Sequence, residues 1–260
     1  MPDLAARARQ LLDLHTDPRV LVLANVWDVV SARVVAATDG VAALATASHS
    51  VAAALGYEDG ERIPLDLHLQ VVARIAAAVD LPVWMDMEAG YGDPGATARG
   101  AIEAGAVGGN LEDGMRPLEE SVAAVEAVLA AGRAAGVDFV LNARTDAVLL
   151  ADPAAARAEV LTEAVRRGRA YLAAGAPVVF VPGVTDREEV AVLAEAFGPG
   201  RLSVLAVPGR SPSVRELQEL GVARVSTGPN ALRVALTALQ DATAALVAGG
   251  GLPPGTRALA

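Results

Sequence analysis

A chain of 260 residues with 53 % apolar and 20 % charged residues has enough apolar material for a sizeable core and is not a disordered polymer. Its net charge of −10 argues against a nucleic-acid partner, because holding phosphates needs a basic face. Cys and Lys are both absent, all 21 basic residues being Arg, which excludes thiolate catalysis, disulfides, Schiff-base chemistry, pyridoxal-phosphate attachment and P-loop phosphate binding.

The first segment, MPDLAARARQLLDLH, carries no apolar signal region, and no apolar run approaches the ~18 residues of a membrane span, so a cytoplasmic protein without a membrane partner is expected. Candidate strands follow at 20–25, 41–46, 82–86, 107–112, 139–144, 178–182, 202–207 and 223–228. Most are nearly continuous apolar runs, the pattern of parallel strands buried on both faces. Gly40, Gly105, Gly136, Gly175 and Gly221 each close a helical stretch shortly before a strand, as a helix C-cap in left-handed conformation would. Asp80-Leu81-Pro82 and Gly198-Pro199-Gly200 mark the remaining junctions. Helices are expected over 117–135, 154–173 and 229–248. Asp93-Pro94 and Asp152-Pro153 read as N-caps followed by a first-turn Pro, and Thr185 with Glu188 and Ser213 with Glu216 have capping-box spacing. Eight βα units in this length, with no Ser/Gly linker, predict one (β/α)8 TIM-barrel domain over 1–260. The competitor is a doubly wound open sheet, but no GxGxxG follows the first strand.

Active sites of such barrels lie at the C-terminal strand ends. Asp86 and Glu88 are two residues apart and share a face in an extended chain, as do Asn110 with Glu112 and Asn142 with Arg144. Crowded carboxylates repel unless a cation or a proton neutralises them, and oxygen ligands with few His and no Cys suit a hard ion such as Mg2+. Plainer roles are open to most of these residues. Glu112 or Asp113 could be salt-bridged loop acids, and Arg144 a structural partner of Asp146 or Asp113. Asp93 reads as a helix cap, Asp28 as a loop or cap residue, and His15 and His68 as structural.

Seven segments then occur in one order along the chain: LVLANVWDVVSAR (21–33), LGYEDG (55–60), DMEAGYGD (86–93), GGNLEDG (108–114), NARTDA (142–147), FVPGV (180–184) and VARVSTGP (222–229). Here the chain resembles the isocitrate lyase/phosphoenolpyruvate mutase superfamily. The resemblance implies that Asp86 binds Mg2+ most directly, with Glu88, Glu112 and Asp59 around its water shell. It also implies that Arg144 grips a substrate carboxylate, beside Asn142, and that backbone amides at Ser48-His49 meet the oxo oxygen. His49 stands where the family has a small residue. Family members are commonly tetramers that exchange a C-terminal helix, which would be 229–248 here. Lyases acting on isocitrate or methylisocitrate carry a Lys-Lys-Cys-Gly-His lid, and phosphonate mutases a longer lid. In this chain Glu112-Asp113-Gly114-Met115-Arg116 runs straight into the helix at Pro117, which leaves His49, Tyr57 and Glu112 as candidates for proton transfer. The expected activity is a Mg2+-dependent lyase cleaving a C–C bond in a small oxo- or hydroxy-dicarboxylate, such as oxaloacetate or a substituted malate. Its alternatives are a phosphonomutase or phosphonate hydrolase acting on a P–C bond, and a non-catalytic oxo-acid-binding homologue.

Overall fold

All eight expected strands form, their ends shifted by three residues at most. The computed structural model of the chain describes residues 3–258. The first expected strand is broken at Ala24 into β1 (Leu21–Leu23) and β2 (Asn25–Val26). β3 (Leu44–Thr46), β4 (Val83–Asp86), β5 (Gly108–Glu112), β6 (Val140–Arg144), β7 (Val178–Phe180), β8 (Leu202–Leu205) and β9 (Arg224–Ser226) follow. Neighbours in chain order pair in parallel from β2 to β9, and β9 pairs with β1. The split strand therefore closes the sheet, and the fold is a (β/α)8 barrel. Asn25 fastens the seam. Its Oδ1 accepts from the N–H groups of Thr227 (3.0 Å) and Gly228 (2.7 Å), and its Nδ2 donates to the Thr46 carbonyl (2.7 Å).

The helices are α1 (Leu4–Thr16), α2 (Val29–Ala36), α3 (Ser48–Ala54), α4 (Leu65–Ala78), α5 (Pro94–Glu103), α6 (Leu118–Ala134), α7 (Arg157–Ala173), α8 (Arg187–Phe197), α9 (Val214–Glu219) and α10 (Asn230–Val247). Asp93 caps α5 by accepting from the Ala96 N–H, and Ser213 with Glu216 forms the expected box on α9. Asp28 caps α2 in a box with Ser31. Two expected caps are corrected. Asp152 accepts from the Ala154 N–H in a turn of its own, and α7 begins only at Arg157. On α8 the cap is Asp186, which accepts from Glu188 and Glu189, not Thr185.

Gly105, at the α5–β5 junction, has φ +95, and a Cβ there would lie 2.9 Å from Ala76 Cβ. Gly108 begins β5 without a side chain because Leu11 Cδ2 and the Val140 carbonyl already occupy the space a Cβ needs, at 3.1 and 2.6 Å. Through Ala8 and Leu11, α1 thus packs against the N-terminal end of the barrel and buries both residues in the core with Trp84 and Leu141. α10 behaves differently: Val234, Leu236, Leu239, Leu246 and Val247 are exposed. No helix among the described residues is long and apolar enough to cross a membrane.

Candidate active site

A cavity of about 340 Å³ opens at the C-terminal strand ends, lined among others by Ser48, His49, Asp59, Asp86, Asn110 and Arg144. Asp86 ends β4, where its N–H donates to Thr46 Oγ1 at 3.0 Å. Its Oδ2 accepts from the Ser48 N–H (3.1 Å) and its Oδ1 from Asn110 Nδ2 (3.3 Å). Asp59 Oδ1 accepts from Ser48 Oγ at 3.0 Å. Ser48 therefore holds two acids in place, and its amide, expected to face an oxo oxygen, is engaged with Asp86. Asn142 stands one hydrogen bond behind the wall, donating through Nδ2 to Asn110 Oδ1 at 3.1 Å.

The two other acids of the expected metal set face elsewhere. β4 stops at Asp86, and Glu88 adopts φ +51, so the alternation that would bring it beside Asp86 ends there. The residue is 3 % exposed, and its carboxylate is held by the Tyr91 hydroxyl (2.7 Å) and the Glu61 N–H. His68 Nδ1 lies 3.1 Å from the same hydroxyl, a buried role matching its structural reading. Burial pushes the Glu88 carboxyl above its ordinary range, against the two hydrogen bonds. Glu112 forms an ion pair with Arg144, Oε2 to Nη1, at 2.7 Å. Burial still pushes its pKa up to about 7, with Arg144 opposing and Asp86, Asp146 and Glu88 adding repulsion.

Among the described residues no three His, Asp or Glu side chains converge closely enough to hold an ion directly. The donor set nonetheless fits a hard cation that keeps most of its water. Asp86 and Asp59 face the cavity and accept from two backbone N–H groups, of Ser48 and Glu88, an amide side chain and a hydroxyl, with no guanidinium against them.

Arg144 is held from two sides, Nε by Asp146 (2.7 Å) and Nη1 by Glu112, which realises the structural partnership with Asp146. These acids outweigh burial and raise its pKa, so the guanidinium on the cavity wall is permanently charged and fixed in plane. Asp113 belongs to another network. It accepts from Arg167 Nη1 (3.1 Å), Tyr171 OH (2.6 Å) and the N–H groups of Met115 and Asp146 (both 3.0 Å). Burial alone would raise its pKa, but these hydrogen bonds hold it below the usual range. The loop before α6 is tied down: Arg116 donates to the carbonyls of Asp113 and Glu112, and the Gly114 N–H to Asp146. Of the proton-transfer candidates, His49 lines the cavity, whereas Tyr57 is 40 % exposed and outside it.

Sequence reasoning passed over Arg224. It is buried in the cavity floor with its guanidinium carbon 3.2 Å from the centre of the Trp84 ring. The signal was present in ARVSTG, where Ala223 and Val225 alternate with Arg224 and Ser226, putting a charge on the barrel-facing side of a buried strand.

Comparison with known proteins agrees with this fold. A Burkholderia cenocepacia crystal structure named for a phosphonomutase shares 40 % identity, with 95 % of this chain and 100 % of that one covered and a TM-score of 0.85. Oxaloacetate acetylhydrolase in complex with 3,3-difluorooxalacetate superposes with a TM-score of 0.84 at 26 % identity, over 98 % and 89 % of the two chains. An oxaloacetate decarboxylase of Paraburkholderia xenovorans is 29 % identical over 90 % of this chain and 79 % of its own. The family profile for phosphoenolpyruvate phosphomutase matches residues 11–247, and the chain belongs to that family, an enzyme among the lyases and mutases of the phosphoenolpyruvate mutase/isocitrate lyase superfamily.

Proposed function

We propose that the chain is a Mg2+-dependent lyase that breaks a C–C bond in a small oxo- or hydroxy-dicarboxylate, with oxaloacetate as the first substrate to test. The observation that carries this reading is the pair Asp86 and Asp59, which line the cavity with no guanidinium paired to them, together with the fixed guanidinium of Arg144 on the same cavity. Asp86 would hold the ion directly, and Asp59, on the same cavity, would act through water. Mg2+, when bound, would supply positive charge opposite the oxygen that becomes an enolate. The chain's own residues do the rest. Arg144 orients a carboxylate of the substrate. With oxaloacetate, the C3–C4 bond breaks, CO2 leaves, and its electron pair passes into the enolate of pyruvate. A proton then returns to C3, and the His49 imidazole, which lines the cavity, would deliver it.

The test follows pyruvate and CO2 from oxaloacetate with purified protein, with and without a chelator. Metal-dependent turnover supports the reading, and its absence at millimolar substrate removes it. The relative named for phosphonomutase activity favours a second reading, cleavage of a P–C bond. Phosphorus NMR of phosphonopyruvate mixed with the protein separates the two, because only that reading changes the spectrum.

The exposed apolar side chains of α10 support a further part of the reading, a helix exchanged with another copy of the chain. Leu239→Arg, at a position 62 % exposed, is then expected to lower the molar mass measured by light scattering. An unchanged mass removes the exchange.

A further inference from the structure

Below Asp86 the cavity holds a guanidinium without an anion. Arg224 is 4 % exposed, and its Nε and Nη1 have no hydrogen-bond partner. Burial draws its pKa well down, and Asp86 is the acid that opposes this. A cation removed from water and left unpaired is strongly unfavourable unless something negative reaches it. Arg224 lines the same cavity as Asp86 and Arg144, so that something has a path.

The sheet register places the two arginines on one row. Arg144 pairs with Phe180, Phe180 with Ser203 and Ser203 with Arg224. Barrel strands are tilted, so such a row slants along the axis. Arg144 ends β6 at the mouth, whereas Arg224 begins β9 and lies deeper. Two neighbouring groups are also unspent: the Trp84 indole N–H, beneath the guanidinium, and the Ser203 hydroxyl, on the same row. A floor rich in unsatisfied donors is chemistry for an anion, and the Trp84 face keeps the guanidinium plane fixed.

We propose that Arg224 on Trp84 is an inner subsite for a second acidic group of the ligand, so that the cavity selects dianionic over monoanionic oxo acids. This rests on the oxo-acid reading above and adds the residue that sets the ligand's second charge. With one carboxylate at Arg144, the chain of the ligand runs down the barrel axis and its other carboxylate meets Arg224.

Binding of 3,3-difluorooxaloacetate, oxalate and pyruvate is measured by calorimetry in the presence of Mg2+, for the wild-type chain and Arg224→Met. The expected result is a loss of about 100-fold for difluorooxaloacetate in the variant, with oxalate and pyruvate within about threefold, because only the longer diacid reaches the floor. Equal losses for all three ligands, or none, overturn the subsite and leave Arg224 a structural residue. A second measurement needs no change at Arg224. Trp27 and Trp84 are the chain's two tryptophans, so Trp27→Phe leaves Trp84 as the fluorescent reporter. Difluorooxaloacetate should alter its emission saturably and pyruvate should not; a silent Trp84 overturns the proposal even if Arg224→Met does not fold. Failure of the reaction is distinguishable from failure of the subsite. If oxaloacetate is not consumed while difluorooxaloacetate binds through Arg224, the lyase reading falls and the subsite stands. If oxaloacetate is consumed with the same KM in both proteins, the subsite falls and the lyase stands. A wild-type chain that binds none of the three removes both.

Discussion

Asp113 and Asp86 lie one strand apart at the same end of the barrel, yet their surroundings are opposite. Asp113 is surrounded by donors, including the Arg167 guanidinium and the Tyr171 hydroxyl, and no capacity is left over. Asp86 faces a cavity with only neutral donors against it. An acid that brings its own cation is a strut, tying α7 to the loop before α6. An acid without one is held ready for charge that arrives from outside. Arg144 and Arg224 repeat the contrast with the sign reversed, one flanked by Glu112 and Asp146 and the other bare.

Replacing each acid tests the contrast most severely. Asp86→Asn should lower kcat/KM by about 10⁴, about 5 kcal/mol of transition-state stabilisation, and leave urea stability within about 1 kcal/mol. Activity within tenfold of wild type would place Asp86 among the struts. Asp113→Ala should do the reverse. It leaves Arg167 buried beside only Glu163, so urea unfolding should show a loss of about 4 kcal/mol, with kcat/KM of the folded protein little changed. A stable Asp113→Ala protein would erase the distinction.

The floor sharpens the comparison through pH. His15 on α1 donates from Nδ1 to the Leu11 carbonyl at 2.7 Å and stands edge-on to Trp84. Burial, then the neighbouring Arg224, lowers its pKa from 6.5 to about 4. The unfolded chain therefore takes up a proton that the folded chain refuses. Stability is whole above about pH 6.5 and falls as pH drops toward 4, by about 3 kcal/mol at the lower end. His15→Gln should remove most of the difference between urea curves at pH 7.5 and pH 4.5; a difference unchanged in the variant would locate acid sensitivity elsewhere. The smallest effect is expected at Tyr91→Phe, which takes one of two donors from Glu88 and should cost about 1 kcal/mol. A larger loss would class Glu88 with Asp113.

The strands were legible because each is a short apolar run bounded by a turn residue, and burial on both faces leaves little else such runs can do. Ser213 and Asp93 were legible as caps because the cap and its helix are neighbours in the chain. Asp152 and Thr185 misled for a related reason: a cap residue also needs the helix to start beside it, and the backbone takes another turn first. Glu88 misled because spacing of two means one face only while the chain stays extended, and β4 ends at Asp86. Arg224 was visible in its alternation, but nothing local distinguishes an inward Arg with a partner from one without.

The order of apolar runs, glycine junctions and acidic strand ends determined by itself that this chain forms a closed parallel barrel with carboxylates at its mouth. Periodicity and turn chemistry act between neighbouring residues, so the chain displays them directly. Which acids are neutralised and which stay open was decided only when the barrel closed. Arg167 reaches Asp113 across 54 positions and Asp86 shares Asn110 with Asn142, and such pairings are set by distances between strands and helices that no local pattern encodes.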